Sequence, residues 1–255
     1  MRPLDPVFLR RPLAHRALHD AGRDRPENSR AAVAAALSHG YGVELDLQPS
    51  RDGVAMVFHD QTLDRLTDET GAVRDRKATE LDVLALAGGP ERIPHLSDVL
   101  DQVAGRVPVL LELKDQHGTM GRGDGVLEEA VARDLKGYRG PVAVMSFNPE
   151  MMARMAEICP EVPRGLVTSS YTAAAWPDLP RAVRERLRDI PDYARVGASY
   201  ISHEAADLDR PDVARLHAAG AAVLCWTIRS AAEEARARRI ADNITFEGYL
   251  PAIPA

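Results

Sequence analysis

Glu44 and Asp46 stand two residues apart in Gly42-Val43-Glu44-Leu45-Asp46-Leu47-Gln48, alternating with Val43, Leu45 and Leu47. That period of two predicts a strand, on which both carboxylates point to the same face. A buried acidic pair is costly unless a cation or a proton neutralises it. Arg51-Asp52-Gly53 is a turn signal, after which Val54 to Phe58 forms a second extended run ending at His59. Another apolar run, Val109 to Leu113, carries Glu112 and then Lys114 on a shared face, and His15-Arg16 ends the short entry Leu13-Ala14. Three carboxylates gathered in one place suit a hard divalent cation such as Mg²⁺ or Ca²⁺. Two histidines beside them have the pKa range for proton transfer in both directions. The Arg16 guanidinium is a fork suited to phosphate oxygens, and Lys114 adds positive charge for an anionic substrate or neutralises the carboxylates. Metal, guanidinium and two imidazoles describe phosphoryl transfer better than acyl transfer.

The elements needed to bring these residues together follow from the rest of the chain. An alanine-rich helix runs to about His39, capped by Asn28 or Ser29 and closed by Gly40. Residues 60–92 are polar and turn-rich, with a short helix around Thr79 to Leu86. Ser97 caps a helix through Val103, and a further helix spans Val126 to Leu135. Strands follow at Val142 to Phe147, Arg164 to Ser169, Ser199 to Ser202, Ala221 to Thr227 and Asn243 to Phe246. Between them lie helices opening at Asn148-Pro149, Pro180, Pro211 and Ser230. Roughly eight strands, most followed by a helix, favour parallel pairing with helical crossovers. The expectation is an α/β fold, a TIM-type (β/α)8 barrel forming a single domain over 1–255, since such barrels take about 250 residues. A doubly wound sheet is the fallback, without a glycine fingerprint after the first strand to support it. In a barrel His15, Arg16, Glu44, Asp46, His59, Glu112, Lys114 and Trp226 all fall at strand ends, where the chemistry of such folds is placed.

Composition narrows the classes. With 45% hydrophobic and 27% charged residues the chain reads as globular, and no stretch resembles a membrane span. A formal net charge of -6 without a basic block argues against nucleic acid, and the lack of a basic amphipathic stretch argues against stable membrane attachment. Met1 to Arg10 lacks the apolar core of a signal peptide, and Cys159 and Cys225 share no CxxC spacing. Both cysteines are expected reduced and buried, in a cytoplasmic protein. No GxSxG elbow and no P-loop occur.

In its motifs the chain resembles the glycerophosphodiester phosphodiesterases. His15-Arg16, Pro26-Glu27-Asn28-Ser29, Glu44-Leu45-Asp46, Arg51-Asp52-Gly53, His59-Asp60, Ile93-Pro94, Glu112-Leu113-Lys114 and Trp226-Thr227 carry the match in the family's order. The resemblance implies a TIM-type barrel and metal-dependent cleavage of a glycerophosphodiester to glycerol 3-phosphate and an alcohol. It implies that Glu44, Asp46 and Glu112 bind the metal, that His15 and His59 are the acid–base pair, and that Arg16 holds the phosphate. Glu27 would join the site's polar network, and Trp226 is either a substrate wall or core packing. Ala17 stands where the family usually has Gly, and the subdomain many relatives insert after His59-Asp60 is reduced to a short loop. Two alternatives stay open: lysophospholipid cleavage or release of a cyclic phosphate on the same barrel, and a barrel that only binds a phosphorylated ligand.

Overall fold

The computed structural model describes residues 2–254; Met1 and Ala255, the ends of the expected domain, lie outside the described residues. Among the described residues, nine strands are β1 (Leu13–Ala14), β2 (Gly42–Pro49), β3 (Ala55–Val57), β4 (Val109–Leu113), β5 (Val142–Ser146), β6 (Arg164–Thr168), β7 (Tyr200–Glu204), β8 (Ala222–Ile228) and β9 (Asn243–Phe246). The α-helices of the described residues are α1 (Val7–Arg10), α2 (Arg30–His39), α3 (Ala78–Leu81), α4 (Leu96–Val103), α5 (Val126–Leu135), α6 (Pro149–Ile158), α7 (Arg181–Arg188), α8 (Pro211–Ala218) and α9 (Ala231–Ala237). Hydrogen bonding orders the strands β1-β9-β8-β7-β6-β5-β4-β2-β3, and β1 also pairs with β2. That closed order of eight strands, with the short β3 appended antiparallel to β2, is the expected (β/α)8 barrel.

By internal contacts the chain falls into two compact units. One comprises Leu13–Lys114 with Asp124–Val142, and the other takes the remaining described residues. In the first, all eight residues of β2 are buried, as a parallel strand covered on both faces requires. Helices α2 and α5 pack against it. Ser29, not Asn28, caps α2: its hydroxyl accepts the Ala32 N–H at 3.1 Å, and Gly40 closes the helix at φ +76°. The helix expected to open at Ser97 begins at Leu96, with His95 at the cap and no side-chain capping bond. The segment after His59 makes a small core of its own from Phe58, Leu63, Leu66, Val73, Leu81 and Ile93. An inserted domain is absent there, and the loop is nonetheless anchored by buried apolar side chains.

The other unit contains β6 to β9 in parallel register. Asn148 accepts the Glu150 N–H at 2.9 Å with Pro149 at the first helical position, as the Asn-Pro pair predicts. Gly165 has no side chain because the ring of Tyr200 takes that space. Helix α1, which the proline-rich opening did not announce, is tied down by Asn243, whose amide donates to the Phe8 and Arg11 carbonyls at 2.7 and 2.6 Å. The Trp226–Thr227 peptide is cis. Cys159 and Cys225 are free and buried, as expected. Among the described residues, no helix is long and apolar enough to cross a membrane.

Candidate active site

Strands β2 and β4 run parallel with Asp46 opposite Glu112. These two carboxylates therefore lie side by side on one face, and Glu44, two residues before Asp46, shares it. One oxygen from each of the three lies within 4.8 Å of the others. Glu44, Asp46 and Glu112 are 2%, 1% and 7% exposed.

Such a cluster must be neutralised, and the structure does so only in part. Lys114 Nζ bridges Asp46 Oδ1 and Glu112 Oε1, each at 2.8 Å. Burial opposes its charge, but the two carboxylates outweigh burial and hold the ammonium well above its ordinary pKa. Asn28 donates from Nδ2 to Asp46 Oδ2 at 2.9 Å and accepts the Asp46 N–H at 3.2 Å. Burial alone would raise Asp46, yet Lys114, His59, Arg16 and His15 together depress it below the ordinary carboxylate value. Glu44 goes the other way: burial, and then the charges of Asp46 and Glu112, push it well above 4.5. The three buried carboxylates share the half-buried Lys114, with the Arg16 guanidinium 3.7 Å from Asp46. The raised pKa of Glu44 means that its charge stays disfavoured beside them, and a dication with oxygen ligands fits such a cluster.

The turn after β1 places two more groups. Arg16 and Ala17 both adopt left-handed backbone, at φ +51° and +62°. In that conformation the Arg16 N–H reaches Glu44 Oε2 at 3.0 Å, and the Ala17 N–H reaches the Glu44 carbonyl at 3.0 Å. Arg16 Nη1 donates to Glu27 Oε1 at 2.8 Å. Its Nε sits 3.7 Å from Asp46 Oδ2 and, though buried, makes no hydrogen bond. That donor remains for an anion. His15, just before the turn, is close enough for its charge to act on Asp46, as is His59.

His59 follows β3 and is held at both ends. Gln48 Nε2 donates to its carbonyl at 3.1 Å, and its Nδ1 lies 2.6 Å from Asp60 Oδ1. Burial would raise Asp60, but hydrogen bonds from His59 and Arg65 depress it well below the ordinary value, so it is an ionised acceptor. Nδ1 of His59 therefore carries the hydrogen, and Nε2 is the ring atom left to exchange protons.

Of the residues expected at the site, His15, Arg16, Glu27, Glu44, Asp46, His59, Glu112 and Lys114 all belong to the first unit. Hydrogen bonds and ion pairs join Arg16 to Glu27, Glu44 and Asp46 and Lys114 to Asp46 and Glu112, while His15 and His59 reach Asp46 through their charge. Trp226 belongs to the other unit. Its Nε1 donates to the Ser202 carbonyl at 3.0 Å, and its ring meets Phe147 edge-on at 5.5 Å. Two residues of this constellation escaped the sequence. Asn28 looked like a helix cap, whereas its backbone is left-handed and its amide holds Asp46. Arg65 stood in a polar segment with nothing local to single it out; the signal that could have found it is its position between the apolar Leu63 and Leu66.

A barrel of parallel strands with a carboxylate cluster and the Arg16 guanidinium at its strand ends is of the TIM type, and the comparison with known families makes it a phosphoric diester hydrolase. The model of the glycerophosphoryl diester phosphodiesterase family matches residues 15–242. An Oleispira antarctica phosphodiesterase solved with its product sn-glycerol-3-phosphate superposes with a TM-score of 0.76 at 25% identity, covering 94% of this chain and 93% of that one. A glycerophosphodiester phosphodiesterase from Agrobacterium tumefaciens gives 0.68 at 26% identity, covering 96% of each chain. A Caldanaerobacter subterraneus glycerophosphodiester phosphodiesterase is 30% identical over 175 residues, 64% of this chain and 69% of the relative. The chain belongs to the glycerophosphoryl diester phosphodiesterase family.

Proposed function

We propose that this chain hydrolyses glycerophosphodiesters to glycerol 3-phosphate and an alcohol, using a divalent ion held by Glu44, Asp46 and Glu112 and acid–base catalysis by His15 and His59. The observation that carries it is the cluster of buried carboxylates at Glu44, Asp46 and Glu112, with an Arg16 Nε–H beside it that makes no hydrogen bond. When bound, Mg²⁺ or Ca²⁺ would supply Lewis-acid stabilisation of charge on phosphate oxygens. The chain's own residues do the rest. Arg16 directs its free Nε–H at a phosphate oxygen, and Glu27 fixes the angle of the fork. Lys114 orients Asp46 and Glu112 through its two ion pairs and helps keep Asp46 ionised. His15 takes the proton of the attacking hydroxyl or water; His59, with Nδ1–H held by Asp60, must carry a second proton on Nε2, and that is the proton it gives to the departing alkoxide.

The test is glycerol 3-phosphate release from glycerophosphocholine. Activity is expected to vanish with a chelator and to fall about 10²–10⁴-fold in His59→Ala. Turnover equal to the wild type in that variant refutes the role of His59. Phosphorus NMR of the products separates hydrolysis from ring closure, since a persistent cyclic diester means that no water step follows.

A further inference from the structure

We propose that Arg65 is a positioning residue that ties the proton-transferring arm of the site to its phosphate-holding arm. Its guanidinium makes four hydrogen bonds to two carboxylates. Nε and Nη2 donate to Asp60 Oδ2 and Oδ1 at 2.6 and 3.0 Å. Nη1 and Nη2 donate to Glu27 Oε2 and Oε1 at 3.0 and 2.8 Å. The same Asp60 Oδ1 lies 2.6 Å from His59 Nδ1, and the same Glu27 Oε1 accepts Arg16 Nη1 at 2.8 Å. An unbroken chain therefore runs Arg16, Glu27, Arg65, Asp60, His59.

Arg65 is 47% exposed at its side chain, where a single ion pair contributes little to stability. What it supplies is geometry. Two carboxylates share its planar fork, and each keeps one oxygen on a group that faces the chemistry. A lysine could neutralise both but could not present paired N–H groups to both. The backbone that delivers Arg65 is fixed on either side, because Leu63 and Leu66 are buried in the small apolar core of this loop. The short loop thus does more than connect strands: it carries the clamp. The inference rests on the roles proposed for His59 and Arg16.

Kinetics and NMR of Arg65→Ala and Arg65→Lys test it. Both variants are expected to stay folded and to lose about 10–100-fold in kcat/KM, the usual cost of removing an outer partner of a site ligand. The loss should be divided between a lower kcat, through His59, and a higher KM, through Arg16. In a Glu27→Gln/Asp60→Asn background, where both links are already cut, Arg65→Ala should add less than about twofold, since residues acting through the same link are not additive. Imidazole ¹⁵N spectra should show His59 as the Nδ1–H tautomer in the wild type and as a mixture in Arg65→Ala, with no turnover needed. Wild-type kinetics and an unchanged His59 tautomer in Arg65→Ala overturn the inference, as does full activity in Arg65→Lys or an undiminished effect in the double background. If instead His59→Ala stays active while Arg65→Ala shifts the tautomer, the proposed catalytic role fails and the clamp geometry stands.

Discussion

Two cross-strand pairs of buried polar residues can be compared within this chain. On β2 and β4, Asp46 stands opposite Glu112; on β6 and β7, Thr168 stands opposite His203. Both pairs lie near the ends of parallel strands, and Thr168 and His203 are 3% and 0% exposed. The second pair is complete in itself. His203 Nε2 lies 3.1 Å from the Asp207 carbonyl, so it must donate there, and Nδ1 accepts the Thr168 hydroxyl at 2.7 Å. Burial keeps this imidazole neutral against the pull of Asp207. The first pair, with Glu44 beside it, has more charge than its own neighbours can cancel. A buried polar pair at a strand end is therefore not the mark of a site; an unbalanced one is.

Opposite responses to substitution would make that distinction sharp. Glu44→Gln keeps an oxygen for the Arg16 N–H and removes the charge that burial and its neighbours disfavour. Metal-free stability should hold or rise, while activity falls on the order of 10³-fold, the scale of losing one electrostatic group from a site. The thermal shift expected of the wild type with Mg²⁺ or Ca²⁺ should also disappear. Thr168→Val should do the reverse. It strands a buried ring nitrogen, costing about 1–3 kcal/mol of stability, with kcat unchanged within about twofold. Thermal melts with and without metal, beside turnover, decide between them. A Thr168→Val enzyme that loses metal response, or a Glu44→Gln enzyme that keeps it, breaks the comparison.

A smaller effect should appear in the pH dependence of stability. The folded-state pKa of His203 is below its ordinary 6.5, so the unfolded chain binds the proton more readily. The stability this histidine contributes is present above 6.5 and is lost as pH falls from there through the depressed folded value. Denaturant midpoints between neutral pH and the onset of carboxylate titration should slope downward with acid. His203→Gln, which cannot take up a proton, should flatten that slope. An equal slope in the variant would mean that another group carries it.

Much of this contrast was legible in the residues alone, and the parts that were not share a cause. Alternation along Gly42 to Gln48 placed Glu44 and Asp46 on one face, and the strand at Val109 to Leu113 supplied Glu112, because period and face are local properties. Parallel register then does the remaining work of pairing Asp46 with Glu112. Asn28 was hidden because its partner is 18 residues away, and nothing in a run of alanines distinguishes a cap from a residue one place before it. Arg65 reaches Glu27 across 38 positions. Helix α1 spans only four residues, too few to show a period. Side-chain bonds across folded distance leave no periodic trace.

Ala17 offers the smallest test, and it concerns the backbone that presents Arg16 to Glu44. A left-handed residue with a β-carbon is strained by roughly 1–2 kcal/mol, which Ala17→Gly would relieve. Glycine would in turn loosen the unfolded chain by about 0.5–1 kcal/mol. It would also remove a methyl that is 1% exposed, whose burial is worth about 0.8 kcal/mol. These contributions nearly cancel, so Ala17→Gly should move stability by less than about 1 kcal/mol in either direction. The N–H bonds from Arg16 and Ala17 to Glu44 do not involve the methyl, so KM should stay within about twofold. A several-fold fall in KM would show instead that the β-carbon crowds the phosphate, and that the departure from glycine shapes how tightly this site holds its substrate.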